Sequence, residues 1–217
     1  MKDIVIVGHG GLAREVAFLI DEINRATPTW NLLGYVGSAA DSVSKPVGRH
    51  IVRGTDDWLW KLTTEIAVAI AIGQPSRIRA LHERFRQNPK LLFPNLIHPA
   101  VTGDWERIAM GSGNIVLNNA SLTTDIKLGC LNIVNPGATI AHDCMLGSYN
   151  LVNPGASLSG EVVLGDEVLI GTGARILQQL HLCSRAVIGA GAVVTRDIDK
   201  PGIYIGVPAR DMNPART

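Results

Sequence analysis

Cysteine is scarce. The three present, Cys130, Cys144 and Cys183, form an odd set without metal-ligand spacing. They read as reduced thiols of a cytoplasmic protein, and no metal site is expected. Long apolar runs are missing too: none approaches the roughly 18 residues needed to cross a bilayer, so membrane insertion is not expected. Residues 4–7 follow Met1-Lys2-Asp3 and meet a glycine too soon for a secretory leader. Charge of one sign is also lacking. Twenty Lys and Arg face nineteen Asp and Glu, a formal net charge of +1. No global field therefore draws the chain to nucleic acid.

Aliphatic residues are abundant. Apolar residues make up 46% of the 217 and charged ones 18%, which describes a globular protein. The length suffices for one large domain or two small ones, each with a core.

The aliphatics of the second half are periodic, and the period is six. The series runs Met110, Val116, Leu122, Leu128, Val134, Ile140, Leu146, Val152, Leu158, Leu164, Ile170, Ile176, Leu182, Ile188 and Val194. In a chain that is 46% apolar such a run arises by chance roughly once in 100,000 for a given register. A helix cannot use this period, because successive positions would drift around its surface.

A period of 18 lies on top. Val134-Asn135-Pro136-Gly137-Ala138 recurs as Val152-Asn153-Pro154-Gly155-Ala156, then as Ile170-Gly171-Thr172-Gly173-Ala174 and Ile188-Gly189-Ala190-Gly191-Ala192. Six residues make one flat side, and three sides make a triangular coil. Small residues four places on (Ala120, Ala138, Cys144, Ala156, Ala174, Ala192) are expected to fill the corners. Each coil hides its aliphatics only by stacking on the next, so the ends need caps.

The first 95 residues alternate between strand and helix signals. Strands are expected at 4–7, 32–36 and 65–72. Leu12, Val16, Leu19, Ile20 and Ile23 form one helical face. Gln74-Pro75 opens a second helix, with Ile78, Leu81, His82 and Phe85 on one side. An extended segment at 91–97 leads into the prism. This alternation predicts a small parallel α/β sheet.

Its first turn reads Gly8-His9-Gly10-Gly11-Leu12-Ala13, a glycine-rich link from strand to helix. Backbone N–H groups and a helix N-terminus can cradle phosphate there. Three readings are open: a tight turn that needs glycine, a nicotinamide site, or a site for a nucleotide-linked ligand. A dinucleotide site would carry an acid after the second strand, where Gly37-Ser38 stand instead.

Among six histidines, His50 and His82 read as solvated, His98 as a packing residue before the prism, and His181 as outward. His142 differs because Asp143 follows it, in columns two and three of a hexad whose inward place is Ile140. A carboxylate beside an imidazole holds its tautomer and raises its basicity, which suits a general base. The plainer alternative is an exposed pair on a corner.

With these residues in view, the chain resembles the sugar acetyltransferase family of the NeuD and PglD type. The family includes the bacillosamine-pathway N-acetyltransferase and the sialic acid O-acetyltransferases. The likeness is carried by the Gly8 turn, Ala71-Ile72-Gly73, Leu96-Ile97-His98, Asn135, His142-Asp143, the uninterrupted hexads and Gly206-Val207-Pro208-Ala209-Arg210. It implies a small Rossmann-like acceptor domain over 1–97. A left-handed parallel β-helix with a C-terminal cap would follow over 98–217, so the fold class is α/β plus β. It further implies a cytoplasmic homotrimer with acetyl-CoA as co-substrate, a nucleotide-linked sugar as acceptor, and neither metal nor nucleic acid.

Carried over by motif, His142 is the base and Asp143 its partner. Gly8, Gly10, Gly11, Gly73 and Asn135 would meet the acceptor; Gly160, Thr172, Ala190 and Arg210 would meet the coenzyme. The expected reaction is direct N-acetylation of a nucleotide-linked amino sugar in bacterial glycan synthesis. O-acetylation of a sugar hydroxyl and an idle hexapeptide scaffold or sugar-nucleotide binder are the alternatives. The chain departs from the family at Leu12 and Ala13, at Gly37 and Ser38, and at Leu151, where the bacillosamine enzyme has a second histidine.

Overall fold

The computed structural model describes residues 1–212, so the last five residues of the expected cap, 213–217, lie outside the described residues. The chain separates into two compact units, Met1–Pro99 and a second that begins at Ala100. Among the described residues no helix is long and apolar enough to cross a membrane.

The first unit is a twisted sheet with helices. Its elements are β1 (Lys2–Val7), α1 (Gly11–Ala26), β2 (Trp30–Gly37), β3 (Pro46–Val47), β4 (His50–Thr55), α2 (Asp56–Trp60), β5 (Ile66–Ile70), α3 (Pro75–Phe85) and β6 (Leu91–Leu92). The strand order is β3-β4-β2-β1-β5-β6, parallel except where β3 turns back on β4. β1 is central, and Ile4 to Val7 are at most 1% exposed because the sheet covers both of their edges and helices their faces. The face of α1 read from the sequence is the buried one, through Val16, Leu19 and Ile20.

Three elements, β3, β4 and α2, escape the periodicity. β4 presents only Val52 and Gly54 inward, too few apolar positions to register as a strand. The one-turn helix α2 is set by its cap, with the Thr55 hydroxyl accepting from Trp58 N–H. His82 also departs from expectation. It is buried on α3, its ring edge-on to Phe93 at 5.0 Å, and burial lowers its pKa.

The second unit is a left-handed parallel β-helix. Two- and three-residue strands stack into three sheets that pair residues 18 apart between successive coils, as in Val134 on Val152 and Ile140 on Leu158, with other spacings only at the two ends. Of the fifteen aliphatics in the hexad series, all but Met110 are at most 5% exposed. Met110 lies on the first strand of its stack and has no coil above it to cover it. The small column four residues on is buried as well.

Each corner turns through a left-handed residue. Positive φ recurs at every sixth position from Gly113 to Gly191, including non-glycine residues such as Asp125 (56°), Asp143 (60°) and Glu161 (61°). That strain is repeated at every corner, so at Asp143 it is a property of the architecture and carries no functional message.

One inward corner column is polar. Asn114, Asn132 and Asn150 are fully buried, and their Oδ1 atoms accept from the backbone N–H of Asn132, Asn150 and Val168, all at 2.7–2.9 Å. The buried amides thus satisfy the backbone of the next coil.

Candidate functional site

Two places concentrate chemistry, one in each unit. In the first, β1 has β2 on one side and β5 on the other, so the strand order reverses at β1 and a crevice opens at the strand C-termini. Gly8 ends β1 with φ 109°, a conformation closed to side-chain-bearing residues. A β-carbon there would also stand 2.7 Å from Ala71 O. α1 then starts at Gly11 without a side-chain cap. Its first N–H groups and the positive end of its dipole therefore suit an anion.

The resulting cleft holds about 400 Å³. The sequence-derived acceptor residues Gly8, Gly10, Gly11 and Gly73 all line it, with Leu12, Gly37 and Ser38. Ala13 is buried within α1, where a small residue lets helix approach sheet. Two lining residues had no sequence signal, Asp56 from the start of α2 and Arg77 from the first turn of α3. Their presence depends on which strand lies beside which.

In the second unit, the backbone that carries His142 is fixed by the coil below. Ala141 N–H donates to Leu158 O, and Glu161 N–H donates to His142 O at 2.9 Å. The side chain projects outward with about half its surface exposed, and Nδ1 lies 2.9 Å from Asp143 Oδ2. A carboxylate accepting in that contact takes the proton of Nδ1 and leaves Nε2 as the ring's acceptor nitrogen.

The residue one coil below His142 is Gly160. A β-carbon on it would stand 2.6 Å from His142 Nε2 and 3.1 Å from Nδ1. Gly160 is buried although its corner position is outward, because the imidazole lies across it. Its backbone is not in the left-handed region, so the ring is what demands glycine here. The family motif places Gly160 at the coenzyme; the structure shows the His142 ring as its neighbour.

Asp143 belongs to an acidic corner. Asp125 stands one coil above and Glu161 one coil below. Arg107 pairs with Asp125 at 2.7 Å, while Gln179 Nε2 donates to Glu161 at 3.2 Å. The bond to Asp125 and the field of Asp143 keep the Arg107 guanidinium firmly protonated.

Cys144, two residues from His142, points into the prism and its Sγ donates to Ser159 O. Burial pushes its thiol up to about 11. It is inert as a nucleophile near neutral pH.

The remaining sequence-derived residues gather on another corner. Asn135 is 5% exposed, its amide donating to Val152 O at 3.1 Å. Thr172 and Ala190 follow it down the prism as exposed corner residues. Arg175 is spent on the carbonyls of Gly155 and Gly173, whereas Arg210 on the final strand remains exposed. One chain therefore brings His142, Asp143 and Gly160 together and keeps them apart from Asn135, Thr172 and Ala190.

Comparison with known proteins adds the following. Residues 3–85 match the family described as PglD N-terminal domain. No curated protein matches the chain. The acetyltransferase domain of PglB from Neisseria gonorrhoeae, solved with acetyl coenzyme A, is 30% identical; the alignment covers 97% of this chain and 99% of that one, with a TM-score of 0.87. PerB from Caulobacter crescentus, solved with CoA and GDP-perosamine, is 28% identical over 97% of both chains, with a TM-score of 0.82. Variants of that perosamine N-acetyltransferase with one histidine changed to asparagine or alanine are solved with the same two molecules. WeeI from Acinetobacter baumannii is 25% identical over 98% of this chain and 100% of that one, with a TM-score of 0.84.

Proposed function

We propose a reaction for this chain on the premise that it belongs to the NeuD and PglD-type sugar acetyltransferase family, as its end-to-end likeness to the gonococcal acetyltransferase domain establishes. It is an acetyl-CoA-dependent acetyltransferase. The finer reading is N-acetylation of a nucleotide-linked amino sugar in bacterial glycan synthesis. The first unit would hold the nucleotide at the Gly8 turn, and the second would carry the acetyl donor and the base.

The observation that carries this reading is the His142–Asp143 pair. Its imidazole is about half exposed, its Nδ1 is held at 2.9 Å, and its ring is seated on Gly160. His142 takes the proton from the acceptor amine as nitrogen attacks the thioester carbonyl. Asp143 holds the ring and stabilises the imidazolium that forms. Backbone N–H groups stabilise the oxyanion until the thiolate of CoA departs and is protonated. The high pKa of the Cys144 thiol argues against an acyl-enzyme and for direct transfer. Thr172, Ala190 and Arg210 would contact the coenzyme, Arg210 through its phosphates.

Support for an amine acceptor comes from the Caulobacter enzyme, which binds GDP-perosamine. The test is an acetyl-transfer assay with acetyl-CoA against UDP-, GDP- and dTDP-linked amino sugars and free sialic acid. Product mass spectrometry would distinguish amide from ester. Amide formation on a nucleotide sugar is expected. Ester formation on a hydroxyl would replace this reading with O-acetylation, and no CoA release with any acceptor would favour an idle scaffold.

The separation of the two corners supports a trimer. Asn135, Thr172 and Ala190 can face His142 only if a neighbouring copy supplies one of the two corners. A closed ring satisfies that contact in every copy. Sedimentation velocity should therefore show one trimeric species at micromolar concentration. A fully active monomer would overturn this.

A further inference from the structure

The family fingerprint wants a carboxylate after the second strand, and the chain has Gly37-Ser38 there. The structure explains the absence at Gly37. A β-carbon on Gly37 would collide with the Ser42 hydroxyl and approach the His9 ring at 3.3 Å. Ser42 is itself buried, its hydroxyl donating to Ala39 O. The end of β2 is thus roofed by the turn after it, and no acidic side chain fits at position 37.

The neighbouring strand supplies what β2 lacks. β4 runs parallel to β2 in a register that pairs Val36 with Gly54 and Gly37 with Thr55. Asp56 follows Thr55 directly, at the first position of α2. It lines the same cleft as Gly8, Gly10 and Gly11. The Thr55 hydroxyl already caps α2, which leaves the Asp56 carboxylate without that duty. It is half-buried, and burial raises its pKa against the opposing fields of Arg77 and Arg84. No hydrogen bond from the described residues engages it.

We infer that Asp56 is the nucleotide-binding acid of this chain, accepting hydrogen bonds from the ribose hydroxyls of the nucleotide whose phosphates lie at the Gly8 turn. The inference rests on the reading of the cleft as a nucleotide site. A carboxylate at this place in a parallel α/β sheet accepts from vicinal hydroxyls, and the glycine turn and helix start take the phosphates. What is new is the donor strand: the acid comes from the end of β4, and a sequence search at the end of β2 cannot find it.

The test is calorimetric titration of the full chain with UDP, with GDP and with their 2′,3′-dideoxy counterparts, using the unsubstituted protein, Asp56→Asn and Asp56→Ser. The unsubstituted protein should bind at least one ribonucleotide and lose about ten-fold or more on the dideoxy form, as befits a charge-assisted bond. Both variants should bind the ribonucleotide about ten-fold more weakly and discriminate ribose from dideoxyribose no longer. Thermal unfolding of each variant, measured in parallel, should match the unsubstituted protein. If the variants keep the full ribose preference, or bind the ribonucleotide as tightly as before, the role of Asp56 is wrong while the cleft remains a nucleotide site. If the unsubstituted protein binds neither nucleotide, the reading of the cleft falls, and this assignment with it.

Discussion

His142→Ala should lower turnover by a factor on the order of 100 to 10,000, the range in which a lost general base shows itself. The protein should stay folded, because the side chain lies outside the inward columns and its removal opens no core cavity. Asp143→Asn should cost less, since the imidazole remains and loses only its anionic partner at 2.9 Å. An alanine variant with unchanged turnover on its true acceptor would move the search for the base elsewhere.

Gly160→Ala should be nearly as damaging, for a different reason. The added methyl would stand 2.6 Å from the present position of Nε2, so the ring must tilt or slide by about an ångström. A misplacement of that size can cost on the order of 100-fold when geometry governs the transfer. Stability should hold or rise slightly, because the Gly160 backbone lies outside the left-handed region and alanine narrows the unfolded ensemble. The decisive measurement is the double variant. If the methyl acts by displacing the imidazole, Gly160→Ala should cost little further once His142 is alanine. A full additional loss in that background would mean that the methyl obstructs the coenzyme and not the ring.

The prism could be read from the sequence because its rule is local. Every sixth residue faces in, and the rule repeats without interruption, so stepping from Met110 to Val194 traces the buried column. The single shortfall, Met110, is an end effect. The asparagine column was harder to see: Asn114, Asn132 and Asn150 break the apolar pattern of their column, and only the 18-residue spacing hints that they bond the coil below them. In the first unit, β1, β2 and α1 were legible from dense apolar runs, while β4 and α2 were not, having little apolar content of their own. His82 looked solvated because histidine usually is, yet α3 turns it toward Phe93.

The candidate site divides along the same line. The His142-Asp143 pair and the Gly8 turn are contiguous in sequence, so adjacency alone made them visible. The sequence by itself determined the repeat, its register, the inward aliphatics and that base–carboxylate pair, since each is set by neighbours within six or eighteen residues. Only the tertiary structure decided that Asp56 enters the cleft, that Gly37 excludes an acid there, and that Gly160 seats the imidazole. Those three facts depend on the lateral register of strands and on the space left between side chains. Neither is encoded in any one segment, because each arises when two segments pack.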